Sequence, residues 1–182
     1  MEYSENCYRR FLDGDESAFT EIIAEHRGPV TFFIQRYVHD ICAAEDIAAD
    51  VFMELVVHPH KYRFGTPLRT YLLVLARSRA IDWLRREKHR QAVPLEDVAE
   101  QLADTKSLED EVLRSERSRI LHEAIGKLPP EQQAALHLVY FDEQSYADTA
   151  KILHITKKRV DHLLCRAKQS LRSIIGEDGV LN

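Results

Sequence analysis

Apolar residues recur at helical spacing along most of the chain. In the stretch AEDIAADVFMELVVH, Ile47, Val51 and Leu55 stand four residues apart. This interval places their side chains on one face of an amphipathic helix. A similar pattern runs up to Gly28-Pro29 and resumes after it. A third, PLRTYLLVLARSRAIDWLRREKHR, starts at Pro67, a residue suited to the first turn of a helix. The pattern predicts an all-α protein.

The segment SYADTAKILHITKKRVDHLLCRAKQSL, residues 145–171, predicts two short helices joined by a tight turn. Ser145 is a natural N-cap for the first helix, and Thr156 can cap the second. His154 occupies the turn, where many such motifs have glycine. Histidine tolerates a left-handed backbone better than branched residues do. The second helix buries an apolar stripe formed by Val160, Leu163, Leu164, Ala167 and Leu171. Together these features predict a helix-turn-helix.

Cations crowd the exposed N-terminal end of that second helix, the end that a recognition helix points at base edges. Arginine and lysine suit guanine O6 and N7 there, and lysines further out suit phosphates. The alternative is an ordinary surface helix with a solvated basic face. The candidate DNA-contacting residues of this helix are Lys157, Lys158, Arg159, His162 and Arg166.

Composition places the chain among soluble globular proteins. Six glycines and six prolines in 182 residues favour long helices over turn-rich sheet. No apolar run approaches the roughly 18 residues that a membrane span needs. The N-terminal MEYSENCYRRFLDGDE lacks the order of a signal peptide, and the three separated cysteines do not suggest a disulfide framework. We therefore expect a cytoplasmic protein with reduced thiols.

The formal net charge is −5, but the chain contains two basic segments. Residues 77–90 hold six basic side chains against two acidic ones, a net of +4, and residues 151–172 hold seven against one, a net of +6. Residues 96–116, between them, hold eight acidic side chains against two basic ones. Binding to nucleic acid depends on the local field, so the acidic average does not exclude it. We predict two domains, 1–90 and 117–176, with an acidic linker at 91–116 and a tail at 177–182.

The stretch from residue 61 to 90 mixes aromatic rings with cations. Opening of a DNA duplex needs both, because cations follow the backbone while aromatic faces hold extruded bases. Tyr71 could equally be a core residue. For Trp83 we predict the core, because apolar residues at 80, 81 and 84 surround it in the sequence.

Three segments occur in the order and spacing of bacterial extracytoplasmic-function (ECF) sigma factors: AEDIAADVFMEL, YRFGTPLRTYLLVLARSRAIDWLRR and LPPEQQAALHLVYFDEQSYADTAKILHITKKRVDHLLCRAK. The chain resembles that family over roughly residues 8–90 and 117–175. Such proteins consist of an N-terminal helical domain, region 2, and a C-terminal helix-turn-helix domain, region 4. They bind the RNA polymerase core, recognise the −10 and −35 promoter elements and open the DNA. The resemblance implies the same architecture and function for this chain.

The resemblance also implies roles for particular residues. In the family, the acidic stripe formed here by Asp46, Asp50 and Glu54 docks on the clamp helices of the β′ subunit, whereas a solvated acidic face is the ordinary alternative. Region 4 would bind the β flap, and the linker would run through the positively charged cleft of the polymerase. The loop at 61–67 would cradle a flipped base of the non-template strand. The residues implied for −10 recognition and melting are Lys61, Tyr62, Arg63, Phe64, Arg69, Arg77, Ser78, Arg85 and Arg86.

Three positions depart from the usual family pattern and bear on the preferred promoter sequence. Ser78 stands where asparagine is usual, Tyr71 stands where tryptophan is usual, and Lys158-Arg159 replaces a common Gly-Thr. A separate anti-sigma factor is a candidate inhibitor. The promoter sequence and the inducing signal cannot be read from these residues.

An enzyme and a conventional helix-turn-helix regulator are the alternative classes of protein. For an enzyme, His58-Pro-His60 could suggest a metal site, but no acidic or thiol ligand stands at a characteristic spacing. No glycine-rich phosphate loop or serine elbow appears, and we expect neither catalysis nor a cofactor. A helix-turn-helix repressor or activator that binds DNA as a dimer without polymerase would leave the aromatic and basic stretch at 61–90 without a role.

Overall fold

The computed structural model describes residues 2–91 and 116–177 of the chain. These residues form eight α-helices and one 3₁₀ turn, and they contain no β-strand, which confirms the all-α prediction. Backbone contacts divide the chain into two units, Met1–Gln101 and Leu102–Asn182. The predicted acidic linker lies almost entirely outside the described residues. None of the described helices is long and apolar enough to cross a membrane.

The first unit contains four helices: α1 (Glu2–Leu12), α2 (Glu16–Val38), α3 (Ile41–Val57) and α4 (Leu68–Gln91), with the 3₁₀ turn Pro59–Lys61 between α3 and α4. Helix α2 packs against each of the other three, so its side chains form the middle of the core. Ile22, Val30 and Phe33 of α2 are almost completely buried. The apolar pattern on both sides of Pro29 belongs to one continuous helix, because α2 runs through this proline.

Helix α1 holds together the end of α3 and the start of α4. The hydroxyl of Tyr8, a fully buried residue, donates to the carbonyl oxygens of Leu55 at 3.2 Å and Pro59 at 2.9 Å. Glu5 Oε1 accepts a hydrogen bond of 2.8 Å from the backbone N–H of Leu68, the first residue of α4. A carboxylate at this position satisfies a free N–H and suits the positive end of the helix dipole. The short N-terminal helix is thus an integral part of this unit.

The second unit contains α5 (Glu116–Gly126), α6 (Pro130–Tyr140), α7 (Tyr146–Leu153) and α8 (Lys157–Glu177). Helix α6 begins directly after Pro129, with Pro130 in its first turn. Helix α8 contacts the other three helices and supplies their common core. Leu138, Ile152 and Val160, from α6, α7 and α8, are completely buried there.

Candidate nucleic-acid interface

The turn between α7 and α8 has the geometry of a helix-turn-helix. Ser145 Oγ accepts a hydrogen bond of 3.1 Å from the backbone N–H of Asp148, so this serine caps α7. His154 adopts the left-handed conformation, with φ 54° and ψ 44°, and ends α7. Thr156 Oγ1 accepts a hydrogen bond of 3.2 Å from the N–H of Arg159 in the first turn of α8. All three local predictions are confirmed.

Helix α8 has one buried face and one cationic face. Val160, Leu163, Leu164 and Ala167 are buried, and Leu171 is half-buried. The five predicted DNA-contacting residues all lie on the exposed face: Lys157, Lys158, Arg159, His162 and Arg166. The structure therefore leaves all five of these side chains accessible to solvent.

Two of the cations on α8 have partners on α6. Arg159 forms an exposed ion pair of 3.1 Å with Glu131, at the start of α6. The ammonium of Lys168 lies 5.2 Å from the ring centroid of Tyr140, at the end of α6. A hydrogen bond with the Tyr140 hydroxyl raises the pKa of Lys168 above its usual value. Arg159 therefore has a partner within the second unit, although half of its side chain remains exposed.

The loop at 61–67, in the first unit, is built around an aromatic cluster. The ring of Tyr62 is buried and lies 5.4 Å from that of Tyr8 and 5.2 Å from that of Tyr71, measured between centroids. Its hydroxyl donates to the carbonyl oxygen of Thr66 at 2.7 Å and so closes the loop. The ring fills the core beneath the loop and is covered in this structure. Direct contact of Tyr62 with DNA stays a prediction.

Phe64 lies nearer the surface of the same loop. Its ring is half-buried, and its backbone has a φ of 56°, in the left-handed region. The guanidinium of Arg9 lies 4.9 Å from the centroid of the Phe64 ring. Lys61 and Arg63 are exposed beside it. The loop therefore presents cations and one aromatic ring in a fixed conformation.

The predicted −10 residues on α4 do not share one face. Ser78 and Arg85 are exposed, whereas Arg69 and Arg77 are half-buried. Arg77 hydrogen-bonds to Tyr37 of α2, and burial raises the pKa of that tyrosine. Arg86 lines a groove towards α3. The side chains of this set therefore point in several directions around the helix.

The groove beside Arg86 has a volume of about 360 Å³ and is also lined by Asp46 and Asp50 of α3. Both aspartates are exposed. Trp83 forms part of the wall and is only half-buried, which corrects the prediction of a core position. The apolar neighbours of Trp83 in the sequence do not enclose it, because Leu84 is itself 37% exposed. Two acids of the predicted stripe, Asp46 and Asp50, therefore line the same groove as Arg86.

Glu54 differs from the other two acids of the predicted stripe, because its side chain is only 12% exposed. Lys61 donates to its Oε1, and Arg79 donates to its Oε2 at 3.0 Å. The hydrogen bond from Lys61 lowers the pKa of the Glu54 carboxyl, although burial acts in the opposite direction. Both oxygens of Glu54 are thus occupied within the chain.

Two models of known protein families match this chain. The model of sigma-70 region 2 matches residues 22–90, and that of sigma-70 region 4 matches residues 118–171. The two matches follow each other in order and together cover most of the chain. The chain belongs to the sigma-70 family.

Among curated proteins, this sigma factor is 28% identical to the RNA polymerase sigma factor CarQ of Myxococcus xanthus, over 92% of this chain and 95% of the relative. It is 26% identical to the ECF RNA polymerase sigma factor SigW of Bacillus subtilis, over 87% of this chain and 89% of the relative. The chain is thus an ECF RNA polymerase sigma factor that acts with core polymerase in promoter recognition, DNA melting and transcription initiation.

Solved structures share the fold of this sigma factor. The sigma factor RpoE of Bartonella quintana, solved with the anti-sigma factor NepR, has a TM-score of 0.63 and 20% identity, over 87% of this chain and 96% of that one. CnrH, solved with the cytosolic domain of CnrY, has a TM-score of 0.66 and 16% identity, over 98% of this chain and 100% of that one.

Sequence reasoning missed three partners of the candidate residues in this sigma factor: Arg9, Arg79 and Glu131. Each contacts a candidate residue more than 20 positions away in the sequence. Helical periodicity shows which residues share a face of one helix, and it carries no information about which helices meet. No local signal could have identified these three residues.

Proposed function

We propose a division of labour between the two units of this sigma factor. Residues 117–176 read the −35 element, residues 1–90 bind the polymerase and open the −10 region, and residues 91–116 connect them. The observation that carries the proposal is the exposed cationic end of α8, which a capped helix-turn-helix presents to solvent. A recognition helix of this kind enters the major groove by its N-terminal residues.

In the −35 complex, Lys157, Lys158, Arg159, His162 and Arg166 contact the DNA. Arg159 first exchanges Glu131 for a base or a phosphate. The alternative of a merely solvated basic face is less well supported, because Ser145, His154 and Thr156 together fix the turn that such a surface helix would not need. Tyr140 and Phe141 of the same unit are about half exposed and offer apolar surface for the β flap.

In the −10 complex, the loop at 61–67 holds an extruded base. Lys61, Arg63 and Phe64 are accessible in that loop, and Ser78, Arg85 and Arg86 extend the contact surface along α4. The buried Tyr62 acts from beneath as a support of the loop. Arg69 and Arg77 are half-buried, and we assign them to the margin of this surface.

Asp46 and Asp50 are exposed carboxylates on one face of α3, and they dock on basic side chains of the β′ clamp helices. Attraction between exposed charges is screened by salt, so this contact should weaken as ionic strength rises. The protein acts in the cytoplasm, where the polymerase is, and contributes no catalytic group of its own. An anti-sigma factor is a candidate inhibitor, because the related RpoE has been solved with one.

The test is co-elution of the purified chain with core RNA polymerase on a sizing column, followed by promoter binding with and without core. We expect a stable complex with core and specific promoter binding only in its presence. Tight binding of a dimer to a palindromic site without polymerase would contradict the proposal and would favour a conventional repressor or activator.

A further inference from the structure

Glu54 joins three elements of the first unit through its two ion pairs. Glu54 lies on α3, Lys61 ends the 3₁₀ turn that leads into the 61–67 loop, and Arg79 lies on α4. Each carboxylate oxygen receives a hydrogen bond from a different cation. With 12% of its side chain exposed, Glu54 has little surface left for another molecule.

The start of the loop is fixed at two neighbouring points. Glu54 holds the side chain of Lys61, and Tyr8 holds the carbonyl oxygen of Pro59, two residues earlier. The loop that follows contains Phe64 in the left-handed conformation. A non-glycine residue keeps this unfavourable conformation only when its surroundings enforce it. The ion pair with Glu54 anchors Lys61 in the same segment as Phe64 and so limits the conformations open to the loop.

Removal of the carboxylate would change the charge balance at this point. Lys61 and Arg79 would then face each other without the anion between them. Like charges at short distance repel, and an exposed lysine gains hydration when it moves away. The start of the loop is the element that can move, because Arg79 belongs to a long helix.

We propose that Glu54 is a positioning residue for promoter opening, which holds Lys61 and the 61–67 loop in the conformation that receives DNA, and that it is not a polymerase contact. This inference rests on the proposed role of the loop in opening. It separates Glu54 from Asp46 and Asp50, which are both exposed.

The experiment uses the full chain with core polymerase and compares Glu54→Gln with Asp50→Asn. Opening is measured by permanganate reactivity of unpaired thymines on linear promoter DNA, and core affinity by fluorescence anisotropy. Glu54→Gln should lower opening about tenfold, the effect of one hydrogen bond to a charged group, while core affinity stays within about twofold. Asp50→Asn should show the opposite pattern. Glu45→Gln is the matched control, because Glu45 lies on the same helix and pairs with Arg27 instead.

Two further measurements distinguish positioning from a general loss of structure. On a promoter with a pre-opened bubble, Glu54→Gln should initiate as well as the wild type, since opening is no longer required. Glu54→Asp retains the charge on a shorter side chain and should recover part of the activity. If Glu54→Gln fails equally on both templates or lowers core affinity as much as Asp50→Asn, the inference is wrong.

The variant Phe64→Ala tests the proposed role of the loop in opening independently of the role of Glu54. If Phe64→Ala impairs opening and Glu54→Gln does not, only the role of Glu54 is refuted. If Phe64→Ala leaves opening unchanged, the loop has no part in melting, and both proposals fail.

Discussion

The ion pair between Arg159 and Glu131 makes a quantitative prediction about promoter recognition. A bidentate contact of arginine with guanine contributes about 1–3 kcal/mol of discrimination, or about 5- to 150-fold in affinity. The two side chains of the ion pair are 52% and 73% exposed. A pair this exposed contributes about 0.2–1 kcal/mol, or about 1.4- to 5-fold. A base contact of Arg159 should therefore outweigh its ion pair with Glu131. Breaking the pair should lower the affinity for the promoter only modestly.

Two substitutions test this competition in the holoenzyme. Glu131→Gln should tighten binding to the promoter about 1.4- to 5-fold, because Arg159 of this variant has no ion pair to break before it contacts DNA. Arg159→Ala should weaken binding and relax specificity at one position of the −35 element. In the Arg159→Ala background, Glu131→Gln should lose most of its benefit, because no ion pair remains to be broken.

The assay is equilibrium binding of holoenzyme to a promoter and to its single-base variants across the −35 element. Glu143→Gln is the control, because it removes an exposed carboxylate from the same unit and reports the general effect of one negative charge. An equal gain for Glu131→Gln and Glu143→Gln would show that the ion pair does not compete with DNA. Equal losses for Arg159→Ala on every variant would remove Arg159 from the residues that read bases.

Three further predictions concern stability, measured by urea denaturation, with fluorescence of the single tryptophan, Trp83, reporting on the first unit. Tyr8→Phe should lower the free energy of unfolding of the first unit by about 1–3 kcal/mol, because two carbonyl oxygens lose their donor. An unchanged midpoint of urea denaturation would contradict this. His154→Gly should stabilise the second unit by up to about 1 kcal/mol, because glycine removes the cost of a Cβ in the left-handed conformation. Unfolding of this unit is measured by circular dichroism, and a loss of stability would refute the prediction. Burial lowers the pKa of His26, so the unfolded chain binds the extra proton and stability should fall as pH drops below the ordinary value of 6.5. His26→Gln should flatten that dependence, and an identical pH profile would exclude His26 as its source.

The sequence predicts well those features that depend on neighbours along the chain. Ser145, His154 and Thr156 act on backbone groups within a few residues, so their roles are visible in a single segment. The cationic face of α8 follows from the same helical periodicity, because the buried positions are the apolar ones. The order of the two domains came from the family resemblance, which contains the same local motifs.

Features that depend on packing between helices could not be predicted in this way. Tyr62 and Trp83 both lie in the stretch from residue 61 to 90 that mixes aromatic rings with cations, yet Tyr62 is buried and Trp83 lines a groove. Their burial depends on which helices lie beside them. The same holds for Glu54, whose spacing from Asp50 places it in an acidic stripe, while its ion pairs come from Lys61 and Arg79.

The position of α1 has a consequence for how the protein is made. Tyr8 finds its acceptors 47 and 51 residues further along the chain, and Glu5 caps a helix 63 residues away. A ribosome releases the N-terminus first, so α1 emerges long before any of these partners exists. Contacts across such separations form late, because the intervening chain must be closed into a loop. Helix α1 is therefore synthesised before its partners but docks late, and a chain arrested before α4 emerges would leave the apolar face of α1 exposed to chaperones.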